Sequence, residues 1–329
     1  MGKPGANGYS PTVSDEEFVS AWKDCNGNVE EVSRRVGLTV RSTYNARRKA
    51  ERNLGVLLLA EKNSTQTLIR SHKARISITL KDAVLPLASD AHVWPGERTT
   101  VQRAYVKMVK KLKPSHVILM GDVFDGARIS SHPRIGFLEN RPTVDEELKA
   151  VGEFLKEIED AAPPGAVLIW CLGNHDARYE SYLAARVPEM ENVSGFHLKD
   201  RFPKWIPCWS VHINEGTKEH MVIKHRWHGG IHSSYNNVLR GGVHIATAHL
   251  HKLDISKWTN YTGTHYGVDG GFMADCGDPQ FNAYLEDNQP NWQSGFPIIT
   301  FRDGRLMRPE FVVKWEDDVV EFRGELINV

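Results

Sequence analysis

The chain has 329 residues, of which 40% are hydrophobic and 25% are charged. Its 41 Lys and Arg residues balance 41 Asp and Glu residues, so the formal net charge is zero. This composition is typical of a folded globular protein and excludes collagen-like, largely disordered and disulfide-dense chains.

Three features of the sequence bear on location. The apolar runs are far shorter than a membrane-spanning helix requires, and the first residues lack the apolar region of a signal peptide. Four widely spaced cysteines form no Cys-x-x-Cys motif, which favours a reducing compartment. The sequence therefore predicts a cytoplasmic protein with no membrane partner.

Basic residues and histidines are concentrated in different parts of the chain. Between Arg34 and Lys81 twelve basic residues stand against two acidic ones, a local net charge of +10. All 15 histidines lie between His72 and His265. We therefore expect a basic N-terminal module and a separate histidine-rich module.

Residues 14–54 have the pattern of three short helices. Ser14 precedes three acidic residues, as in a capping box, and a second helix is predicted from Val29. Gly37 stands where a tight turn between helices needs a residue that tolerates positive φ, and Thr39 is placed to cap a third helix. The basic residues of this third helix are Arg41, Arg47, Arg48, Lys49 and Arg52.

Residues 26–51, NGNVEEVSRRVGLTVRSTYNARRKAE, resemble a Fis-like helix-turn-helix, in which the helix after the glycine enters the major groove. The resemblance implies that residues 1–54 form a small all-α DNA-binding domain whose third helix places its basic residues on phosphates. A helical bundle that binds another protein is the alternative. Residues 55–80 are predicted to be a linker or arm, and residues 81–329 a second domain.

Five segments of the second domain each combine an apolar run with a cluster of His, Asp or Asn. Amphipathic helices predicted at 99–112 and 144–161 separate the first three, and this alternation favours an α/β sheet with ligands beyond its strand ends. The five segments are 83–92, 116–125, 166–176, 221–230 and 243–251.

Each segment alone is weak evidence, since a single histidine is more often a core residue than a ligand. Together they supply oxygen and nitrogen ligands that would be costly to gather without cations, and a pair of divalent metals would provide the compensating charge. The seven predicted ligands are Asp90, His92, Asp122, Asn174, His228, His249 and His251.

The order DxH, GDxxD, GNHD, HG and HxH resembles that of the calcineurin-like metallophosphoesterases, over about residues 83–300. The resemblance implies an αββα sandwich with a dinuclear metal site at the strand ends. Manganese is the metal we expect first, although iron, zinc and nickel suit the same mixed ligands. The family pattern assigns Asp90, His92 and His251 to one metal. It assigns Asn174, His228 and His249 to the other, and Asp122 to both.

The resemblance also implies a mechanism, in which a hydroxide that bridges the metals attacks phosphorus. His175 would be the general acid, and Asp176 would orient its imidazole. Arg178 would bind phosphate oxygens, with a surface salt bridge as the alternative. Asp125 would orient a metal ligand.

Two positions depart from the family pattern or leave it ambiguous. Ala248 replaces the glycine that usually begins the last motif. The fourth motif offers His225, His228 and His232, and His228 is preferred because it directly precedes two glycines.

The catalytic motifs do not by themselves choose a substrate. A DNA-binding module joined to them favours a DNA phosphodiesterase, that is, a nuclease, since tethering raises the effective concentration of DNA at the site. The combination resembles proteins of bacteriophages and prophages, which would place it in the cytoplasm of a bacterial host. The alternatives are a phosphatase or phosphodiesterase for small nucleotides or phosphoproteins, and a non-catalytic DNA-binding regulator. Related enzymes are frequently dimers, so a homo-oligomer is a further expectation.

Overall fold

The computed structural model describes residues 13–56, 58, 74–131 and 141–329. The chain divides into two compact units, one within residues 1–71 and one within residues 72–329. No helix in the described part of the chain is both long and apolar enough to cross a membrane.

The first unit consists of three helices, α1 (Asp15–Asp24), α2 (Val29–Val36) and α3 (Val40–Leu54). The Ser14 hydroxyl accepts from the Glu17 N–H while the Glu17 carboxylate accepts from the Ser14 N–H, which completes the expected capping box. Gly37 ends α2 in the left-handed region at φ 67°, and the Thr39 side chain caps α3. The three helices therefore begin and end where the sequence predicts.

A small apolar core holds these helices together. Its fully buried members include Phe18, Trp22, Val32 and Ala50, which come from all three helices. Arg41, Arg48, Lys49 and Arg52 are exposed on α3.

Arg47 differs from the other basic residues of α3, because its side chain contacts neighbours within the unit. Its guanidinium lies 5.1 Å from the Trp22 ring centroid, and its Nε is 3.0 Å from Oε1 of Glu51. Arg47 is turned toward the small core because helical periodicity places it on the face that packs against α1.

The second unit contains two β-sheets and six helices among its described residues. The helices are α4 (Thr100–Leu112), α5 (Val144–Ala161), α6 (Asn174–Arg186), α7 (Leu198–Arg201), α8 (Ser233–Gly241) and α9 (Asn282–Leu285). The strands are β1 (Arg75–Ile78), β2 (Ala83–Ala88), β3 (His116–Leu119), β4 (Val167–Cys171), β5 (Ile206–Cys208), β6 (Ser210–Ile213), β7 (Met221–Ile223), β8 (His244–Thr247), β9 (Leu253–Asn260), β10 (Gly263–Gly270), β11 (Gly295–Arg302), β12 (Arg305–Leu306), β13 (Glu310–Glu316), β14 (Val319–Phe322) and β15 (Glu325–Asn328).

The two sheets are built around parallel strands with antiparallel additions. One has the order β1-β6-β7-β8-β10-β9, in which β7, β8 and β10 are parallel. The other has the order β15-β14-β13-β11-β2-β3-β4-β5, with β12 paired to β11 and with β2 to β5 parallel. Each of the five predicted ligand segments contains one strand, namely β2, β3, β4, β7 or β8.

Side chains that alternate along the strands fill two separate cores. Ile118 of β3 and Ile169 of β4 face the core between the sheets, where they meet Ile223 and Ala246 of the other sheet. Their neighbours Val117, Leu119 and Trp170 face the opposite way, onto α4 and α5. Helix α8 contacts β8, β9 and β10 of the six-stranded sheet. The order of layers is therefore helix, sheet, sheet and helix.

The predicted linker ends earlier than the sequence suggested. Residues 75–78, which we placed in the linker, form β1 and pair in parallel with β6. Ile76 and Ile78 pack against the core between the sheets, because alternation points both side chains inward. The second unit therefore includes residues before 81, while residues 57 and 59–73 lie outside the described residues.

Candidate metal centre

The polar clusters that follow β2, β3, β4, β7 and β8 meet at one edge of the two sheets. The backbone at this edge is unusual, because five non-glycine residues there have positive φ. Such conformations are costly and persist where surrounding contacts enforce them, often at functional sites. The five residues are Asp90, His92, Asp122, His249 and His251.

Two glycines let the strand-end loops approach each other closely. A Cβ on Gly173 would lie 2.0 Å from Oδ1 of Asp122, and a Cβ on Gly121 would lie 2.6 Å from Nδ1 of His225. Gly121 also has a φ of 101°, which side chains disfavour. The glycines of the GDxxD and GNHD motifs are therefore required by packing around the acidic residue.

Asp90, His92 and His251 form the first cluster. Oδ1 of Asp90 lies 3.3 Å from Nε2 of His251 and 4.0 Å from Nε2 of His92. Asp90 is fully buried, and neither its Oδ1 nor Nε2 of His92 has a hydrogen-bond partner among the described residues. Because an unpaired buried carboxylate oxygen facing imidazole nitrogens is unfavourable, these atoms fit a divalent cation.

Asp122, His225 and His249 form the second cluster, together with Asn174. Nδ1 of His225 lies 2.9 Å from the Met120 carbonyl oxygen, to which it donates its proton. Its Nε2 then faces two oxygens, Oδ2 of Asp122 at 3.1 Å and Oδ1 of Asn174 at 3.0 Å. A ring nitrogen directed at two acceptor oxygens fits a shared cation, which would take the place of its proton, so these residues also fit a metal site.

The electrostatics of the second cluster favour positive charge between its members. Burial by itself raises the pKa of Asp122, but the charge of His225 and its hydrogen bond outweigh burial and hold the pKa below its usual range. For His225, burial lowers the pKa, but the charge of Asp122 outweighs it and raises the pKa to about 9.

The structure places His225 in this cluster and leaves His228 outside it, which corrects the sequence assignment. His228 lies in the loop before α8, where its N–H donates to Oδ1 of Asn237 and its ring lies beside Trp227. His225 is held at the sheet because its carbonyl oxygen accepts from the Ala248 N–H.

A signal for His225 was present in the sequence. Met221 and Ile223 face the core between the sheets, and a period of two directs residue 225 to the same side. The proximity of two glycines to His228 was the weaker guide, because a strand end orients a ligand more firmly than a loop does.

His175 lies beside both clusters at the start of α6. Its Nδ1 is 2.8 Å from the Asp125 carbonyl oxygen and 3.3 Å from Oδ1 of the same residue. Burial by itself lowers the pKa of His175, but the hydrogen bond that it donates to Asp125 and the charge of Asp122 raise the pKa above the ordinary value. The protonated imidazole, the form that a general acid needs, is therefore favoured.

Asp125 and Arg178 complete the surroundings of His175. Oδ1 of Asp125 accepts from Nδ1 of His92 at 2.8 Å, so this carboxylate orients a ring of the first cluster, as expected. Nη1 of Arg178 donates to the carbonyl oxygens of Asp125 and Gly126, and its Nη2 lies 3.4 Å from Nε2 of His175. The guanidinium is thus fixed beside the imidazole.

Asp176 does not orient His175, and this role is corrected. Its carboxylate accepts from the N–H groups of Asp122, Val123, Phe124 and Gly173, at 2.8–3.0 Å. It also accepts from the Trp170 indole at 3.0 Å. Asp176 points away from the imidazole because five donors surround its buried carboxylate.

The family described as calcineurin-like phosphoesterase matches residues 87–292, more than half of the chain. The chain belongs to the calcineurin-like phosphoesterase family. Members of the family use two metal ions, and both clusters lie within the matched residues.

Similar proteins come from mycobacteriophages. The Gene 54 protein of Mycobacterium phage L5 is 24% identical over 236 residues, which cover 64% of this chain and 86% of the phage protein. The Gene 54 protein of phage D29 is 25% identical over 235 residues, with the same coverage of both chains.

Solved structures with low sequence identity align with about three quarters of this chain. Vps29 from Entamoeba histolytica, complexed with zinc, is 12% identical with a TM-score of 0.38, covering 74% of this chain and 98% of that one. A dimetal phosphatase from Danio rerio is 11% identical with a TM-score of 0.32, covering 75% and 98%.

The two histidines make a direct test of the ligand assignment. We expect His225→Ala to lower the bound metal from about two ions to about one per chain and to reduce hydrolysis at least about 100-fold, since a direct ligand matters more than the residues that orient ligands. His228→Ala should retain both metals. Elemental analysis of the purified variants measures this, and metal loss in His228→Ala alone would restore the first assignment.

Asp176 provides a second test, because its two candidate roles predict different losses. Asp176→Ala leaves five buried donors without an acceptor and should lower the melting temperature strongly, whereas Asp176→Asn retains one acceptor oxygen and should lower it less. Thermal unfolding measures both. A variant with wild-type melting temperature and reduced kcat would instead support orientation of His175.

Proposed function

We propose that this family member is a metal-dependent phosphodiesterase that acts on DNA. The observation that carries the choice of DNA is the exposed basic face of α3, which follows a left-handed glycine turn as in a helix-turn-helix. The same chain carries two clusters of metal-type ligands beside a histidine and an arginine. A DNA-binding helix and a centre that hydrolyses phosphoesters, when both are present in one chain, favour a nuclease.

The centre's own residues divide into two proposed ligand sets. Asp90, His92 and His251 would hold one cation, and Asn174, His225 and His249 the other, with Asp122 between them. Two divalent cations bound there would polarise phosphoryl oxygens and activate a water nucleophile at neutral pH.

His175 and Arg178 would act on the phosphoester itself. Because Nδ1 of His175 is held by the Asp125 carbonyl oxygen, Nε2 is the atom that can pass a proton to the departing alkoxide. Arg178 would bind non-bridging phosphate oxygens with the guanidinium edge nearest that nitrogen. The leaving group and the phosphate would then be held beside one another.

The first unit would hold the substrate through phosphate contacts. Arg41 and Arg48 are exposed on α3, and Tyr44 lies between them in sequence with 44% of its surface exposed. Exposed arginines on a helix that follows a helix-turn-helix turn are placed as phosphate ligands of duplex DNA. Nζ of Lys49 is 3.9 Å from Oδ1 of Asp15, and the Lys49 side chain is 64% exposed. This weak ion pair therefore leaves the ammonium accessible.

A substrate panel tests the proposed activity. The protein supplied with Mn²⁺ should hydrolyse DNA and bis-p-nitrophenyl phosphate, and Asp122→Asn should lose at least about 100-fold of that activity because it weakens the residue between the clusters. RNA, cyclic nucleotides and p-nitrophenyl phosphate complete the panel. Rapid hydrolysis of p-nitrophenyl phosphate with intact DNA at low salt would contradict the nuclease and favour the small-phosphoester alternative.

The salt dependence of duplex binding tests the role of α3. Arg41→Gln combined with Arg48→Gln should reduce the slope of log K against log salt by about 2, since each lost phosphate contact removes about 0.9. Lys23→Gln combined with Arg34→Gln removes the same charge from α1 and α2 and serves as the control. Equal slopes for the two double variants would contradict a specific phosphate-binding face on α3.

A further inference from the structure

A cavity of about 280 Å³ opens directly beside the second cluster. Asn174 and His225, which we place as metal ligands, form one part of its wall. Trp209, Lys224 and Arg226 form another part. A substrate phosphate bound at the cluster would therefore have its neighbouring group at or in this cavity.

Two cations in the cavity wall stand close together without a counter-charge. Lys224 is partly buried and Arg226 is exposed, and both side chains line the wall of the cavity. Among the described residues, neither side chain forms an ion pair with a carboxylate. Two cationic side chains on one cavity wall can bind the negatively charged oxygens of one phosphate, so this wall fits a phosphate.

Trp209 offers a flat apolar surface at the same cavity. Trp209 is 47% exposed, and its neighbours on both sides belong to strands. Its backbone N–H donates to the Ala74 carbonyl oxygen at 2.7 Å, so the chain at this position is anchored. An anchored, exposed indole is a suitable stacking surface for a nucleobase.

We infer that this cavity binds the nucleotide next to the scissile phosphate, with its base stacked on Trp209 and its other phosphate on Lys224 and Arg226. The inference rests on the proposed nuclease function and adds a preference for unpaired DNA. A base inside a duplex has both faces covered by its neighbours, so only an unpaired or extruded base can stack on the indole. The first unit would hold duplex DNA while the second cleaves an adjoining unpaired strand.

Stacking is tested with single-stranded oligodeoxynucleotides. Trp209→Ala should raise KM about tenfold, since base stacking on an aromatic side chain contributes a factor of about 5 to 150. Trp209→Phe retains a ring and should recover most of the loss. Trp315→Ala removes another exposed tryptophan, on β13, and should keep the wild-type KM.

Strands of abasic nucleotides separate stacking from a structural role of Trp209. The wild-type protein should show a raised KM for the abasic strand, and Trp209→Ala should raise it no further, because the base that stacks is absent. An equal rise in KM for normal and abasic strands in Trp209→Ala would overturn the inference. So would faster cleavage of a blunt duplex than of its separated strand.

The nuclease proposal and the stacking inference are contradicted by different results. If DNA is cleaved but cleavage is indifferent to Trp209 and to abasic substitution, the nuclease stands and the stacking inference is wrong. If no DNA is cleaved while p-nitrophenyl phosphate is hydrolysed, the proposed function is wrong and the inference falls with it.

The cationic wall is tested by the charge of Arg226. Arg226→Gln should raise KM for oligonucleotides longer than a dinucleotide while leaving KM for bis-p-nitrophenyl phosphate within about twofold, because that diester has no second phosphate. A proportional loss on both substrates would assign Arg226 to the scissile phosphate and overturn its place in this inference.

Discussion

The metal centre depends on the hydrogen bonds that the buried carboxylate of Asp176 accepts. This carboxylate accepts hydrogen bonds from the N–H groups of residues 122–124 after β3 and of Gly173 after β4. It also accepts one from the Trp170 indole. Burial and the charge of Asp122 raise the pKa of Asp176 to about 6, so these donors work against a substantial desolvation cost. One carboxylate thereby fixes both the loop that carries Asp122 and the start of α6, which carries Asn174 and His175.

The rest of the centre follows from the way the sheets meet. Three parallel strands of one sheet and two of the other end at the same edge, which brings carboxylates and imidazoles from distant parts of the chain together. Positive φ at Asp90, Asp122 and His249 turns their side chains into this space. Positive charge would balance the resulting excess of acceptors and lone pairs, and the charges of Asp122 and His225 already shift each other's pKa toward the charged forms.

The neutrality of the whole chain conceals an uneven distribution that suits the proposed function. Exposed arginines lie on α3 of the first unit, and Lys224 and Arg226 lie beside the metal-type ligands of the second. A nuclease would use positive charge in both places, first to hold duplex phosphates and then to position the phosphate next to the bond that is cleaved.

The sequence alone determined the elements and most of the centre. Capping residues and hydrophobic periods are local properties, so α1 to α5 and the five ligand-bearing strands could be predicted from neighbouring residues. Motif spacing identified Asp90, His92, Asp122 and His251, because each directly follows a buried strand. Tertiary structure decided the choice of His225 over His228, the role of Asp176 and the orientation of Arg47. Each of these depends on which groups from distant segments surround a side chain, and a linear pattern does not contain that information.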